Sequence, residues 1–224
     1  MRKTIEIILI IILILILFTG CSYNESEKIS INDRINEEIN YIDVRISSIL
    51  NKYFERKDDV LVSIYDDLEK IDNILDVLVI DLSEYDLLKD QILSLRTKIN
   101  ETFISIENEQ IDIILDNIND TYSLIPRIVE GYNQNSNDVY IYDLKASILK
   151  CITLSNKLMW DEAKTEIEKI ENNYNEKIND INFINELQYN SNKIYISVEE
   201  ISGAIKMEQL NLVNTKYIEF LDVF

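Results

Sequence analysis

The sequence predicts an all-α protein, an elongated antiparallel helical bundle with no sheet. Apolar residues recur at spacings of three and four along most of the chain, the stripe of helices that bury one face. Glycine appears 3 times and proline once in 224 residues, fewer than the turns of a strand-rich domain require. About 200 residues follow the apolar N-terminal stretch, enough for one domain with a substantial core.

The chain opens on Met1, Arg2 and Lys3, and residues 7–18 are an unbroken apolar run. A spanning helix needs roughly 20 such residues. A basic start, a short apolar run and small residues at its end have the layout of an export signal, assigned here to residues 1–20. The small residues stand directly before Cys21. Leu17, Phe18, Thr19, Gly20 and Cys21 together resemble the lipobox of bacterial lipoproteins, with Phe18 and the early Glu6 departing from the usual pattern. The resemblance implies that the Cys21 thiol receives a diacylglycerol and that Cys21 becomes the new N-terminus. Cys21 is thus the predicted lipid-attachment site. Two acyl chains would replace the removed helix as anchor. Residues 21–28 read as the lipidated cysteine and a short polar tether.

Beyond it, Ile35, Ile39, Ile42, Ile46, Ile49 and Tyr53 step by three and four. Leu61, Ile64, Leu68, Ile71, Leu75, Leu78 and Leu82 continue the pattern, and the joint at residues 55–59 reads equally as a turn or as the interior of one long helix. Ser83 and Asp86 approximate a capping box. Leu88, Ile92, Leu95, Ile99, Phe103 and Ile106 form the next stripe, with a second ambiguous joint at residues 107–110. Ile114, Ile118, Tyr122 and Ile125 follow. Residues 131–138, GYNQNSND, read as the clearest loop. They divide an N-terminal helical half, 29–132, from a C-terminal half, 137–224, packed with it.

In the second half the stripe Leu144, Ile148, Cys151, Leu158 places Cys151 as a small buried hydrophobe. Asn156 and Lys157 precede Trp160, Asp161 and Glu162, acidic residues suited to a helix N-terminus. Trp160, Ala163, Ile167, Ile170 and Tyr174 form a stripe in which Trp160 reads as a core anchor. A Trp with a small residue three positions on is also seen in tetratricopeptide repeats, but no 34-residue recurrence accompanies it. The same five residues resemble a segment of small, uncharacterised helical proteins of clostridia-type bacteria; that resemblance implies no activity. Residues 189–192 read as a break. The last stripe, Ile194, Val198, Ile201, Ile205, then Leu210, Val213, Tyr217, Phe220, jumps by five, which reads as a kink near Gly203, with Gly203 and Ala204 permitting close helix contact.

The chemistry is sparse. The chain has no histidine, which removes the usual general base and the commonest transition-metal ligand. Cys21 and Cys151 are the two cysteines, so no disulfide framework or cysteine zinc site is expected. Residues 133–144, with Asn133, Asn135 and Asn137 alternating, fail as a calcium loop because Asp138 stands where glycine is needed and Leu144 where glutamate should close the site. Asp112, Asp116 and Asp120 share one helix face and read as a solvated stripe. No catalytic residue, cofactor or metal site is expected.

Residues 1–20 hold Arg2, Lys3 and Glu6, a net +1, so the remainder carries −20 against −19 for the whole chain. That balance disfavours nucleic acid as a partner and holds the body off anionic headgroups. Heavy use of Ile and Asn fits an AT-rich, Gram-positive genome. The leading expectation is a lipoprotein anchored through Cys21 on the extracytoplasmic face of the cell membrane, non-enzymatic, with a binding or accessory role toward another envelope protein. The competing expectation is an extracytoplasmic domain that senses a small molecule or cation held between helices.

Overall fold

The computed structural model describes residues 31–55, 59–81, 88–133, 136–177 and 191–224. The lipobox at residues 17–21, the tether at 22–28 and the capping-box pair Ser83 and Asp86 lie outside the described residues. Residues 31–224 form one compact unit. Within it the described residues are helical: α1 (Ile31–Glu55), α2 (Val60–Asp81), α3 (Lys89–Glu107), α4 (Ile111–Tyr122), α5 (Ile125–Tyr132), α6 (Ser136–Asn156), α7 (Trp160–Lys177), α8 (Ser191–Lys206) and α9 (Leu210–Leu221). They pack as a helical bundle, with consecutive helices in contact and no strand among the described residues.

The stripes become the core. Ile35, Ile39, Ile42, Ile46 and Ile49 of α1 are fully buried, as are Ile64, Leu68, Ile71, Leu75 and Leu78 of α2. Asp33 in the first turn of α1 and Lys52 in its last suit the helix dipole. Both ambiguous joints are breaks: α1 ends at Glu55 and α2 begins at Val60, while α3 ends at Glu107 and α4 begins at Ile111. The helix carrying Ile114 to Ile125 is cut after Tyr122. Pro126 lacks an N–H and therefore sits in the first turn of α5, where that donor would be unpaired anyway.

Four expectations are corrected. The loop expected over 131–138 is shorter, because Gly131 and Tyr132 complete α5 and Asn137 and Asp138 lie in the first turn of α6. Asn192 belongs to the first turn of α8. The jump of five near Gly203 is no kink: α8 ends at Lys206 and a separate helix starts at Leu210. Gly203 mediates no close contact either, since a Cβ there would meet nothing within 4 Å. The glycine under steric pressure is Gly131, whose Cβ would fall 2.2 Å from Leu88 Cδ2.

A recurrence of 49 or 50 residues organises the unit. Asp59, Glu109, Leu158 and Glu208 all have left-handed φ, between 55° and 63°. After α3, α6 and α8 the chain reverses by the same pair of hydrogen bonds. The Gln110 N–H reaches the Ser105 carbonyl at 2.8 Å and the Glu109 N–H reaches Ile106 at 3.0 Å. Met159 and Leu158 do the same to Leu154 and Ser155, and Gln209 and Glu208 to Ala204 and Ile205. This is the Schellman closure of a helix C-terminus, here followed at once by the next helix. Around each left-handed residue the buried positions repeat: ten before, Ile49, Ile99, Ile148 and Val198; five after, Ile64, Ile114, Ala163 and Val213; nine after, Leu68, Ile118, Ile167 and Tyr217. The described helices therefore form four helical hairpins, α1–α2, α3–(α4, α5), α6–α7 and α8–α9. The last returns to the first, with α9 packing on α1 and Phe54 meeting the Tyr217 ring edge-on at 5.8 Å.

Candidate functional site

Polar groups inside such a bundle are costly unless paired, so those that are buried mark where the structure spends stability. Asp43 on α1 and Lys145 on α6 are 5% and 7% exposed. Lys145 Nζ donates to Asp43 Oδ2 at 2.8 Å, and the Tyr122 hydroxyl of α4 donates to Asp43 Oδ1. Burial, and then the Asp43 charge, raise the pKa of that hydroxyl well above the usual tyrosine range. The Lys145 ammonium also lies 4.3 Å from the centroid of the Phe224 ring. One carboxylate thus ties together three hairpins.

A second network sits between α1 and α2. Asp67, 1% exposed, accepts from Ser48 Oγ at 2.7 Å, Lys52 Nζ at 2.5 Å, Lys70 Nζ at 3.2 Å and Arg45 at 3.4 Å. Burial alone would raise its carboxyl, but the donations from Lys52, Ser48 and Lys70 outweigh it and hold the pKa below the usual carboxylate range.

The first network forms the floor of an open groove of about 640 Å³ between α1, the start of α6 and the C-terminal residues. Ser47, Asn51, Tyr142 and Asp222 line it. Phe224 and Val44 stand 43% and 53% exposed along its edge. Asn51 Oδ1 is buried with no hydrogen-bond donor. The groove offers carboxylates, amides, the hydroxyls of Ser47, Ser48 and Tyr142, two lysines already engaged with Asp43 and Asp67, and aromatic edges.

The residues singled out from sequence are distributed through the fold and do not converge. Cys21 lies outside the described residues. Cys151 is fully buried in α6, and burial, then the Glu166 charge, push its thiol far above the usual range, so it is packing. Asp116 and Asp120 pair with Lys157 at 2.7 Å and Lys98 at 3.1 Å. Asn133 donates to Asp138 at 2.8 Å, and no group of three potential metal ligands occurs among the described residues. Leu158, placed on a buried stripe from its spacing, is 64% exposed at a left-handed turn. Trp160, expected as a core anchor, is only partly buried in the first turn of α7, at the place held by Leu61, Ile111 and Leu210 in the other hairpins. Neither buried network was anticipated, although Asp43 and Asp67 stand directly beside the stripe residues Ile42 and Leu68, four and three positions from Ile39 and Ile64, and so carried a signal.

Compared with known proteins, the chain matches no family model, and no curated protein or solved structure is significantly similar to it. No helix among the described residues is long and apolar enough to cross a membrane.

Proposed function

We propose that this is an extracytoplasmic lipoprotein, held to the cell membrane through a lipid on Cys21, whose helical hairpins serve as a non-enzymatic binding module for another envelope protein. The observation that carries the binding role is the four-fold hairpin recurrence. Stacked helical hairpins are a scaffold whose conserved geometry is structural and whose exposed faces and turns are left to recognition. The absence of histidine from the sequence, the strongly acidic balance and the short apolar run before Cys21 support the rest of the reading. The organism it fits is Gram-positive.

Radiolabelled palmitate should enter the wild-type chain and be lost from Cys21→Ser, which should also leave the membrane fraction. Labelling that survives Cys21→Ser ends the anchoring reading. Crosslinking in intact membranes should then recover a defined envelope protein.

A second reading, a sensor for a small cation, rests on Asn51 Oδ1, a buried acceptor without a donor in the α1–α6 groove. An ammonium or hydrated cation would supply one. Under that reading isothermal titration with organic ammonium ions gives binding that Asn51→Leu abolishes.

A further inference from the structure

The four hairpin turns share one end of the bundle. A depression of about 680 Å³ is walled by Tyr53, Val60 and Leu61 of the first hairpin and by residues 109–113 of the second. A neighbouring one of about 400 Å³ brings Tyr53 and Ile113 together with Asn156 and Lys157 of the third hairpin and Leu210 of the fourth. Asn156 and Asn214 exchange side-chain amide hydrogen bonds at 2.9 and 3.2 Å, fixing the third turn to the fourth hairpin.

This end exposes apolar side chains at each of the four turns: Val62 64%, Ile111 46%, Ile113 42%, Leu158 64%, Met159 39% and Met207 57%. Single exposed hydrophobes need no explanation, but grouped ones mark an interaction surface. Leu158 is the clearest case. It occupies a left-handed φ of 59°, which glycine would fill without strain, and its side chain returns nothing to the core.

Around the apolar cluster stand Asp59, Glu109, Asp112 and Asp161, none in an ion pair among the described residues. Among the described residues the lysines nearby are already engaged, Lys157 with Asp116 at 2.7 Å, Lys164 with Glu208 at 2.6 Å and Lys206 with Glu171 at 3.0 Å, while Arg56 and Lys57 lie outside the described residues. An apolar centre ringed by carboxylates outside any ion pair among the described residues, in a chain of net charge −19, defines its complement by charge.

We infer that the turn end is a docking surface for a polypeptide segment that carries apolar anchors flanked by Lys and Arg, on a partner protein. A second copy of this chain is the wrong occupant, because a two-fold contact would set these carboxylates against their own kind. An anionic bilayer is repelled for the same reason. The inference rests on the binding role proposed above and not on the lipid anchor, which palmitate labelling tests separately.

The test uses the full-length chain in detergent micelles and three fluorescent 20-residue helical peptides: one with a Leu face flanked by Lys, one with Glu replacing Lys, one with Ser replacing Leu. The first should bind, more weakly as salt rises, and the other two at least ten-fold less. The pair Leu158→Asp with Met207→Asp should weaken the first peptide at least ten-fold. The equally charged control, Ile80→Asp with Ile196→Asp, at residues 69% and 53% exposed away from the turns, should change it less than two-fold, with both variants retaining the wild-type circular-dichroism spectrum. Equal loss in the two variants overturns the location while leaving a binding role standing. Preference for the Glu peptide overturns the partner chemistry. Turn-dependent dimerisation in sedimentation, or turn-dependent binding to phosphatidylcholine vesicles, overturns the choice of occupant.

Discussion

Asp43 and Lys145 leave water together, and the pair holds only as a set. Removing one partner strands the other, whereas replacing both with apolar groups removes the desolvation cost as well. Asp43→Asn should therefore cost about 3–5 kcal/mol, with Lys145 left as a buried charge. The double change Asp43→Leu with Lys145→Met should cost clearly less than the single one. Urea denaturation of the three proteins checks this ordering, and a double variant no more stable than the single would refute the argument. Glu38, facing Asp81 across α1 and α2, titrates in a useful range. Burial, then the Asp81 charge and their mutual hydrogen bond, raise its pKa from 4.5 to about 7. Because the folded value exceeds the unfolded one, the folded state holds this proton more tightly across that window. Stability therefore falls as pH rises from about 4.5 to about 7 and is level above. Arg34, 2.9 Å from Asp81, moderates the loss. Glu38 is only partly removed from water, so Glu38→Gln should gain only about 1 kcal/mol near pH ~8 and nothing near pH ~4. Urea midpoints at the two pH values give the answer. At this scale the sequence was legible where burial was apolar: every isoleucine of the α1 stripe is in the core. It was not legible where a residue's place depends on which hairpin end it occupies, as for Leu158 and Trp160.

Helix interiors announce themselves by period, while helix ends announce themselves by residue type, and here the second signal is missing. The four left-handed turn positions hold Asp59, Glu109, Leu158 and Glu208, where glycine is the usual C′ residue. With reversals of three or four residues and no glycine, the stripes before and after each turn nearly keep phase, so residues 55–59 and 107–110 read equally as turn or interior. The apparent kink at Gly203 has the same origin, because the phase jump belongs to the turn at Glu208. The hairpin recurrence was hidden for a related reason. Its period is 49 or 50, longer than a 34-residue repeat, and what recurs is burial rather than identity, as Ile64, Ile114, Ala163 and Val213 show. The turn chemistry also predicts a gain. Leu158→Gly removes left-handed strain and deletes an exposed side chain, so it should stabilise the protein by about 0.5–1 kcal/mol. Thermal unfolding should shift up by about 1–4 °C. The reverse substitution at the helical Gly203, Gly203→Leu, meets neither a left-handed φ nor a neighbour within 4 Å and should not destabilise. A lower melting temperature for Leu158→Gly would show that the turn is held by the leucine side chain after all.

Helical-repeat chains in which each unit touches only its neighbours unfold by fraying from their ends. This unit differs in one respect that decides its cooperativity: the last hairpin comes back to the first. Packing of α9 on α1 joins residues more than 150 positions apart, through the Phe54–Tyr217 edge contact and the stacked Tyr217–Phe220 rings at 6.2 Å. Tyr122 and Lys145 bring the second and third hairpins to the same α1 carboxylate. With α1 shared by all, no hairpin can leave without exposing the helix on which the others rest. The expected behaviour is one two-state transition in which far-UV circular dichroism, an average over all hairpins, coincides with fluorescence of Trp160, which reports on the third alone. Phe54→Ala tests the closure itself. Phe54 is partly buried, so the loss should be about 2 kcal/mol, below that of a fully buried phenylalanine. Both probes should shift down together by about 4–8 °C with their coincidence intact. If the circular-dichroism midpoint falls while the Trp160 midpoint stays, the first and last hairpins melt independently of the third. The ring would then be an open stack, with stability summed from its neighbours.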